Sequence, residues 1–441
     1  MNKKIVLTGI LTFSFLSAAF AYTHDAVTEA ATSSTQVSNS NPVVKERFLV
    51  KNPPDVGNGI KAGMGSSLTH LPGDPDTIFY TTADRGPNGE VVVNGEKRRT
   101  FPVPTYTPRI YKIKVSNGEV EILKTIKLKL PKGTDEITGN NYISGVSNLP
   151  GLDETPYDEK GEKQLPYDPY GLDTEGLAYS PKDDTFWLSD EYRPSLVQVK
   201  RDGTILQRLL PSGMSEQYEN APNIPVKDSL PAVFSKRISN KGFEGVTISP
   251  DGKWMFALTQ RPLGNPDEDT SNRSRALRIL KINLETLKVA GEYVYLTDDE
   301  KQYNDLKQSN IYVSDLYAKD DHTLLVDKRD SFGGSESQVK KIYQIDLSEA
   351  TNIQGKYNSP TGTTKSLEQM TVDEMEKAGI AFPKQSLVVD MLKLGYPFEK
   401  LEGLTMTNDH SLAVMNDNDF SITNTSQNGT PTELWKIGIS N

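Results

Sequence analysis

Three glutamates in this chain of 441 residues stand in matching surroundings, each followed by glycine and a short apolar run: Glu175-Gly176-Leu177-Ala178, Glu244-Gly245-Val246-Thr247 and Glu402-Gly403-Leu404-Thr405. Each run leads through a polar turn into a second apolar run. More acids follow that second run at Asp190-Glu191 and at Asp417, and arginines stand at comparable points, Arg85, Arg193, Arg261 and Arg329. Carboxylates that recur at one structural position repel one another when brought to a common axis, unless cations sit between them. Hard oxygen donors of this kind suit Ca²⁺. The candidate metal ligands are therefore Glu175, Asp190, Glu191, Glu244, Glu402 and Asp417. Glu175, Glu244 and Asp190 are also the candidate catalytic groups, since a carboxylate beside a metal can orient or deprotonate water. Arg85, Arg193, Arg261 and Arg329 are the candidate substrate-binding groups, because a guanidinium clamps phosphate or carboxylate in a fork. A plainer reading has the glutamates bonding nearby backbone and the arginines only pairing with the acids.

Other chemistries are narrowed by what the chain lacks. It has no cysteine, which removes thiol nucleophiles, thiolate metal sites and disulfides. No Gly-x-Ser-x-Gly elbow, no Arg-His-Gly and no His-x-x-x-His occurs. The histidines are four: His24 near the N-terminus, His70, and His322 and His410 in turns expected at the opposite end from the carboxylates. Metal-activated water is the route to hydrolysis consistent with this inventory.

The elements that must position these groups are hairpins. Apolar runs of four to eight residues separated by Ser-Pro-Asp-Gly-type turns read as paired strands. The pattern returns every several dozen residues, the signature of a repeat architecture. Five units of about four strands are legible, starting near Gly63, Asp173, Phe243, Leu316 and Leu401, with a sixth left open. The first has Met64 in the place of Glu, and the fourth has Ser314-Asp315 in place of Glu-Gly. The last unit lacks a fourth strand, which residues 48–50 can supply. An all-β chain of four-stranded antiparallel units, closed by an N-terminal strand, is a β-propeller. Insertions at 131–172 and 212–240 read as irregular. Capping boxes at Thr297–Glu300 and Thr371–Glu374 predict short helices, the second ending near Gly379.

Residues 1–21, a charged start followed by an apolar run ending Ala19-Phe20-Ala21, read as a signal peptide. Residues 22–44 read as a disordered leader and 45–441 as the folded domain. The net charge of −10 becomes −12 once Lys3 and Lys4 leave with the signal peptide, which argues against nucleic acid as a partner. A secreted or extracytoplasmic monomer without a transmembrane segment is expected.

The Glu-Gly-Leu-Ala-Tyr-Ser-Pro and Trp-Leu-Ser-Asp-Glu-Tyr-Arg motifs, with the Phe-Glu-Gly-Val-Thr-Ile-Ser-Pro-Asp-Gly-Lys and Leu-Glu-Gly-Leu copies, resemble the phytase-like ("esterase-like activity of phytase") domain family. These are exported bacterial proteins related in architecture to calcium-dependent propeller phytases, and the resemblance covers residues 45–441. It implies a propeller, a phosphoester or ester hydrolase, and retention of the motif at Glu175, Asp190, Glu191, Arg193, Glu244 and Glu402. The expected function is a Ca²⁺-dependent phosphoric ester hydrolase acting on a small anionic substrate. The alternatives are a propeller lactonase or carboxylic esterase with an axial calcium, and a non-catalytic binding propeller of the cell envelope. Fold alone does not choose among them.

Overall fold

The computed structural model describes residues 41–422 and 430–439, so the expected signal peptide and nearly all of the leader lie outside the described residues. Strands dominate. The two α-helices among the described residues, Glu268–Arg273 and Val372–Lys377, have six residues each.

Most of the strands fall into five antiparallel groups in chain order, each beginning at one of the repeats, while Gly89–Val93, Glu96–Phe101 and Pro156–Asp158 form a separate small sheet and Asp55–Gly57 pairs with Ile60–Lys61. Sheet one runs Ser67–Thr69, Ile78–Thr82, Arg109–Ser116 and Glu119–Lys127. Sheet two runs Thr174–Ser180, Thr185–Asp190, Ser195–Lys200 and Ile205–Pro211, with Val226–Leu230 added in parallel at its edge. Sheet three is Phe243–Ile248, Trp254–Thr259, Ala276–Asn283 and Lys288–Leu296. Sheet four is Leu316–Ala318, Thr323–Asp330, Lys340–Asp346 and Lys384–Asp390. Sheet five is Gly403–Met406, Leu412–Met415 and Glu433–Gly438, completed by Val43–Leu49 from the other end of the chain. That closing strand starts two residues ahead of Lys45 and pairs from Val43↔Gly438 to Leu49↔Glu433.

The first strand of each sheet touches the first strand of the next, and Gly403–Met406 returns to Ser67–Thr69. The arrangement is propeller-like. Its cohesion follows from side-chain alternation, because successive residues of a strand face opposite sides. In Thr185–Asp190, Phe186 and Leu188 pack with Tyr80 and Ile110 of sheet one, whereas Trp187 packs with Met255 and Ala257 of sheet three. Phe256 and Leu258 then meet Leu316 and Leu324 of sheet four, Leu325 meets Leu404 and Trp435 of sheet five, and Met415 and Leu434 meet Phe79 and Tyr111 of sheet one. Five apolar layers between five pairs of sheets thus replace a single central core.

Local expectations met different fates. The capping box at Thr371 is formed, the helix Val372–Lys377 follows it, and Gly379 takes φ +76° just beyond. The box at Thr297 is not formed. Thr297 Oγ1 is bonded to Arg275 O and Gln308 Nε2, so Asp299 instead caps a single 3₁₀ turn, Glu300–Gln302. Met64 does not hold the Glu position of the first repeat. The register equates Leu68, Leu177, Leu316 and Leu404, which places Ser66-Ser67 there, while Met64 is buried in the layer between sheets five and one.

Candidate functional site

The Glu-Gly pairs lie where first strands crowd together. A Cβ on Gly176 would come within 2.7 Å of Glu244 O, one on Gly245 within 2.9 Å of Ser314 O, and one on Gly403 within 2.9 Å of the Leu68 side chain. Only glycine permits that approach, and the preceding glutamate is thereby fixed beside the axis. Sheets one and four carry Ser67 and Asp315 at the glycine position. Ser67 Oγ donates to Asp315 Oδ2 at 2.9 Å, and these two side chains accept from Leu177 N (3.0 Å) and Leu404 N (3.2 Å). Burial pushes the Asp315 carboxyl up to about 8. This layer separates a polar cavity lined by Glu175, Glu244 and Glu402 from a smaller space lined by Leu177, Val246, Leu316 and Leu404.

The polar cavity has a volume of about 230 Å³ and is lined by eight acidic and five basic side chains. The acids are Asp84, Asp173, Glu175, Glu191, Glu244, Glu399, Glu402 and Asp419, and the bases Arg85, Arg99, Lys241, Arg329 and Lys400. Two triplets bring carboxylate oxygens within 4.8 Å of one another, Asp173–Glu175–Glu191 and Asp84–Asp417–Asp419. Burial first, and then the neighbouring carboxylates, raise Asp84, Glu175 and Glu244 well above the usual range. Burial likewise lifts Glu191 and Asp417 to about 7, against the pull of Lys241 and Lys400. Among the described residues Glu191 Oε1, Glu244 Oε2 and Glu402 Oε2 are buried without a hydrogen-bond partner. Buried polar atoms ordinarily have one. The donor set is all oxygen, which fits a hard divalent cation.

The basic groups are largely committed. Arg85 donates to Tyr192 Oη at 2.8 Å and to Asn148 and Glu154 at 3.3 Å, and lies over the Tyr192 ring. Arg329 donates through Nε to Ser314 Oγ (2.9 Å) and through Nη2 to Glu402 Oε1 (2.7 Å). Lys400 Nζ reaches Asp419 Oδ1 at 2.7 Å and Asp417 Oδ2 at 3.2 Å. Burial disfavours the Lys400 charge, but Asp419, Glu402 and Asp417 outweigh it and hold the ammonium well above its ordinary pKa.

Of the residues singled out by sequence, Glu175, Glu191, Glu244, Glu402, Arg85 and Arg329 line the cavity, and Asp417 joins it through Lys400. Asp190, Arg193 and Arg261 do not line it. Asp190 Oδ1 accepts from Asp173 N, Tyr192 N and Arg193 N, each at 3.2 Å, so it holds the 190–193 turn against the start of the first strand. Arg193 donates to Ser147 O (3.1 Å) and Asn148 O (3.0 Å) of the 131–172 insertion. Arg261 donates to Asn272 Oδ1 at 2.6 Å. Sequence reasoning passed over Asp173 and Lys400. Both stand two residues before a repeat glutamate, and that shared offset was the available signal.

A propeller-like ring of sheets with a buried carboxylate cavity where the repeat glutamates converge defines the class. The family described as "Phytase-like: Esterase-like activity of phytase" matches residues 61–420, and the chain belongs to it. A protein named "Uncharacterized secreted protein" from Arthroderma benhamiae is 26% identical over 340 residues, covering 68% of this chain and 65% of that relative, just under two thirds of its length. Among solved structures, a luciferin-regenerating enzyme aligns at TM-score 0.33 with 10% identity, covering 91% of this chain and 97% of that one. Hydrazine synthase of Kuenenia stuttgartiensis aligns at 0.31 and 10%, covering 78% and 77%. Scores that low bear on neither fold nor function. No helix among the described residues is long and apolar enough to cross a membrane.

Proposed function

We propose that the chain is an exported hydrolase on a five-bladed propeller that requires calcium and cleaves phosphoesters of small anionic substrates. The observation that carries this is the set of buried, unpartnered oxygens of Glu191, Glu244 and Glu402 in a cavity that also presents Arg329 and Lys241. Asp173, Glu175 and Glu191 would hold the ion. Bound there, calcium supplies positive charge for a phosphate oxygen and makes nearby water more acidic. In this reading Glu244 receives the proton, which its geometry supports: Gln260 Nε2 holds its Oε1 at 2.6 Å, and Oε2 has no hydrogen-bond partner among the described residues. Water adds to phosphorus, the bond to the ester oxygen breaks, and the alcohol leaves with a proton. The Arg329 side chain orients the anion with the donors not engaged by Ser314 and Glu402.

Export is supported by the N-terminal sequence and by the similarity to a protein named as secreted. A second reading, hydrolysis of a lactone or carboxylic ester, is favoured by the commitment of Arg85 to protein partners, which leaves fewer cations for a phosphate. The test is a screen of purified protein against phosphomonoesters, phytate, lactones and carboxylic esters, with calcium and with excess chelator. Calcium-dependent release of phosphate is the expected result. Turnover of lactones alone overturns the phosphoester reading, and activity indifferent to chelator overturns the calcium requirement.

A further inference from the structure

The two carboxylate triplets, one buried throughout and the other half-buried at Asp419, differ in one respect that bears on how many ions the cavity takes. At Asp84–Asp417–Asp419 an ammonium is already in place: Lys400 Nζ lies 2.7 Å from Asp419 Oδ1 and 3.2 Å from Asp417 Oδ2, with Glu402 Oε1 at 3.6 Å. At Asp173–Glu175–Glu191 no ammonium or guanidinium makes a hydrogen bond among the described residues, though the Arg85 main-chain N–H donates to Asp173 Oδ1 at 2.9 Å. Arg85 Nε stands 3.8 Å from Asp173 Oδ2, and Lys241 Nζ 3.7 Å from Glu191 Oε1. The second independent sign is Glu191 Oε1 itself, on a residue only 3% exposed, lining the cavity without a hydrogen-bond partner.

We infer that the cavity takes a single divalent cation, at Asp173–Glu175–Glu191, and that the Lys400 ammonium is a built-in cation occupying the place of a second ion at Asp84–Asp417–Asp419. Of that triplet, Asp417 and Asp419 lie within hydrogen-bond reach of the ammonium, and Glu402 Oε1 adds a third carboxylate oxygen at 3.6 Å. A divalent ion entering the Lys400 triplet would have to sit within a few ångströms of the ammonium. Like charges that close repel strongly where the effective dielectric is well below that of water. Lys400 thus acts as a positioning and counting residue: it sets the ion number to one.

This rests on the calcium reading above, and calcium titration calorimetry of the metal-free full chain separates the two. Wild type should bind one ion. Glu175→Gln should lose it, while Asp417→Asn should bind one ion with affinity within about threefold of wild type. Lys400→Met, folded and purified in excess calcium and then exchanged into metal-free buffer, should bind two. If Lys400→Met does not survive that exchange, the Glu175→Gln and Asp417→Asn pair still decides. Two ions in wild type overturn the inference and leave the calcium reading standing. So does a loss of binding in Asp417→Asn with retention in Glu175→Gln. No calcium binding in wild type overturns both.

Discussion

The Arg193 guanidinium is nearly inaccessible and spends its donors on two backbone carbonyls of a neighbouring loop, Ser147 O and Asn148 O. Charge-assisted bonds of that kind contribute about 1.5–3 kcal/mol. Arg193→Ala should therefore lower stability by roughly that amount in chemical denaturation, with the Michaelis constant of the active-site reaction unchanged. A raised Michaelis constant in a variant of unaltered stability would return Arg193 to the substrate. Asp168 makes a second residue-level prediction. Burial, and then Asp135 beside it, push the Asp168 carboxyl up to about 8. The folded chain therefore holds a proton there that the unfolded chain releases near pH 4. Its contribution to stability is complete below about pH 4 and is lost as pH rises toward 8. Asp168→Asn should flatten that decline, measured as melting temperature against pH. A decline of the same slope in the variant would rule the carboxyl out.

At the scale of elements, the Glu-Gly pair is one device with two halves: the glycine admits the neighbouring strand and the glutamate faces the cavity. Gly176→Ala places a methyl within 2.7 Å of Glu244 O and Val246 N. Such overpacking costs about 1–3 kcal/mol. Because both contacts lie on the strand that carries Glu244, the variant should weaken calcium binding as well as stability, which calorimetry on the folded fraction would reveal. Intact affinity would mean that the two halves are independent. The same pair explains what the sequence made legible. Three copies of Glu-Gly, with turns such as Ser249-Pro250-Asp251-Gly252, located the hairpins and brought Glu175, Glu244 and Glu402 to one cavity. Strand alternation carries that information locally. Where a side chain is claimed by a distant segment, local pattern fails. Arg193 is taken by residues 147–148 and Thr297 by Arg275 and Gln308, partners that no spacing rule connects. The partners of Lys400, Asp417 and Asp419, follow the strand Leu412–Met415, so its offset before Glu402 was the one local mark it carried.

Across the whole molecule, stability and function meet on the axis. Closure depends on Val43–Leu49 pairing with Glu433–Gly438, and no disulfide reinforces it because the chain has no cysteine. The first strands converge on a cavity whose carboxylates oppose one another, so the ring carries an electrostatic load at its centre. An ion that binds only the folded state adds about 2.7 kcal/mol at a hundredfold excess over its dissociation constant. Excess chelator should accordingly lower the melting temperature. The size of that drop should depend on pH, with a sign fixed by the raised carboxyls. Burial raises Glu191 and Asp417 to about 7, and raises Asp84, Glu175 and Glu244 well above their ordinary values. Without the ion Glu191 and Asp417 stay protonated in the folded chain at pH 5, where the unfolded chain has largely released its protons. The metal-free protein therefore loses stability as pH rises from about 4 through 7 and beyond. On the proposed reading, calcium would replace those protons and bind more tightly as they leave. The gap in melting temperature between calcium-loaded and chelated protein should thus widen from pH 5 to pH 8. A gap that stays constant or narrows over that range would show that the carboxylates of this cavity are not where the ion binds.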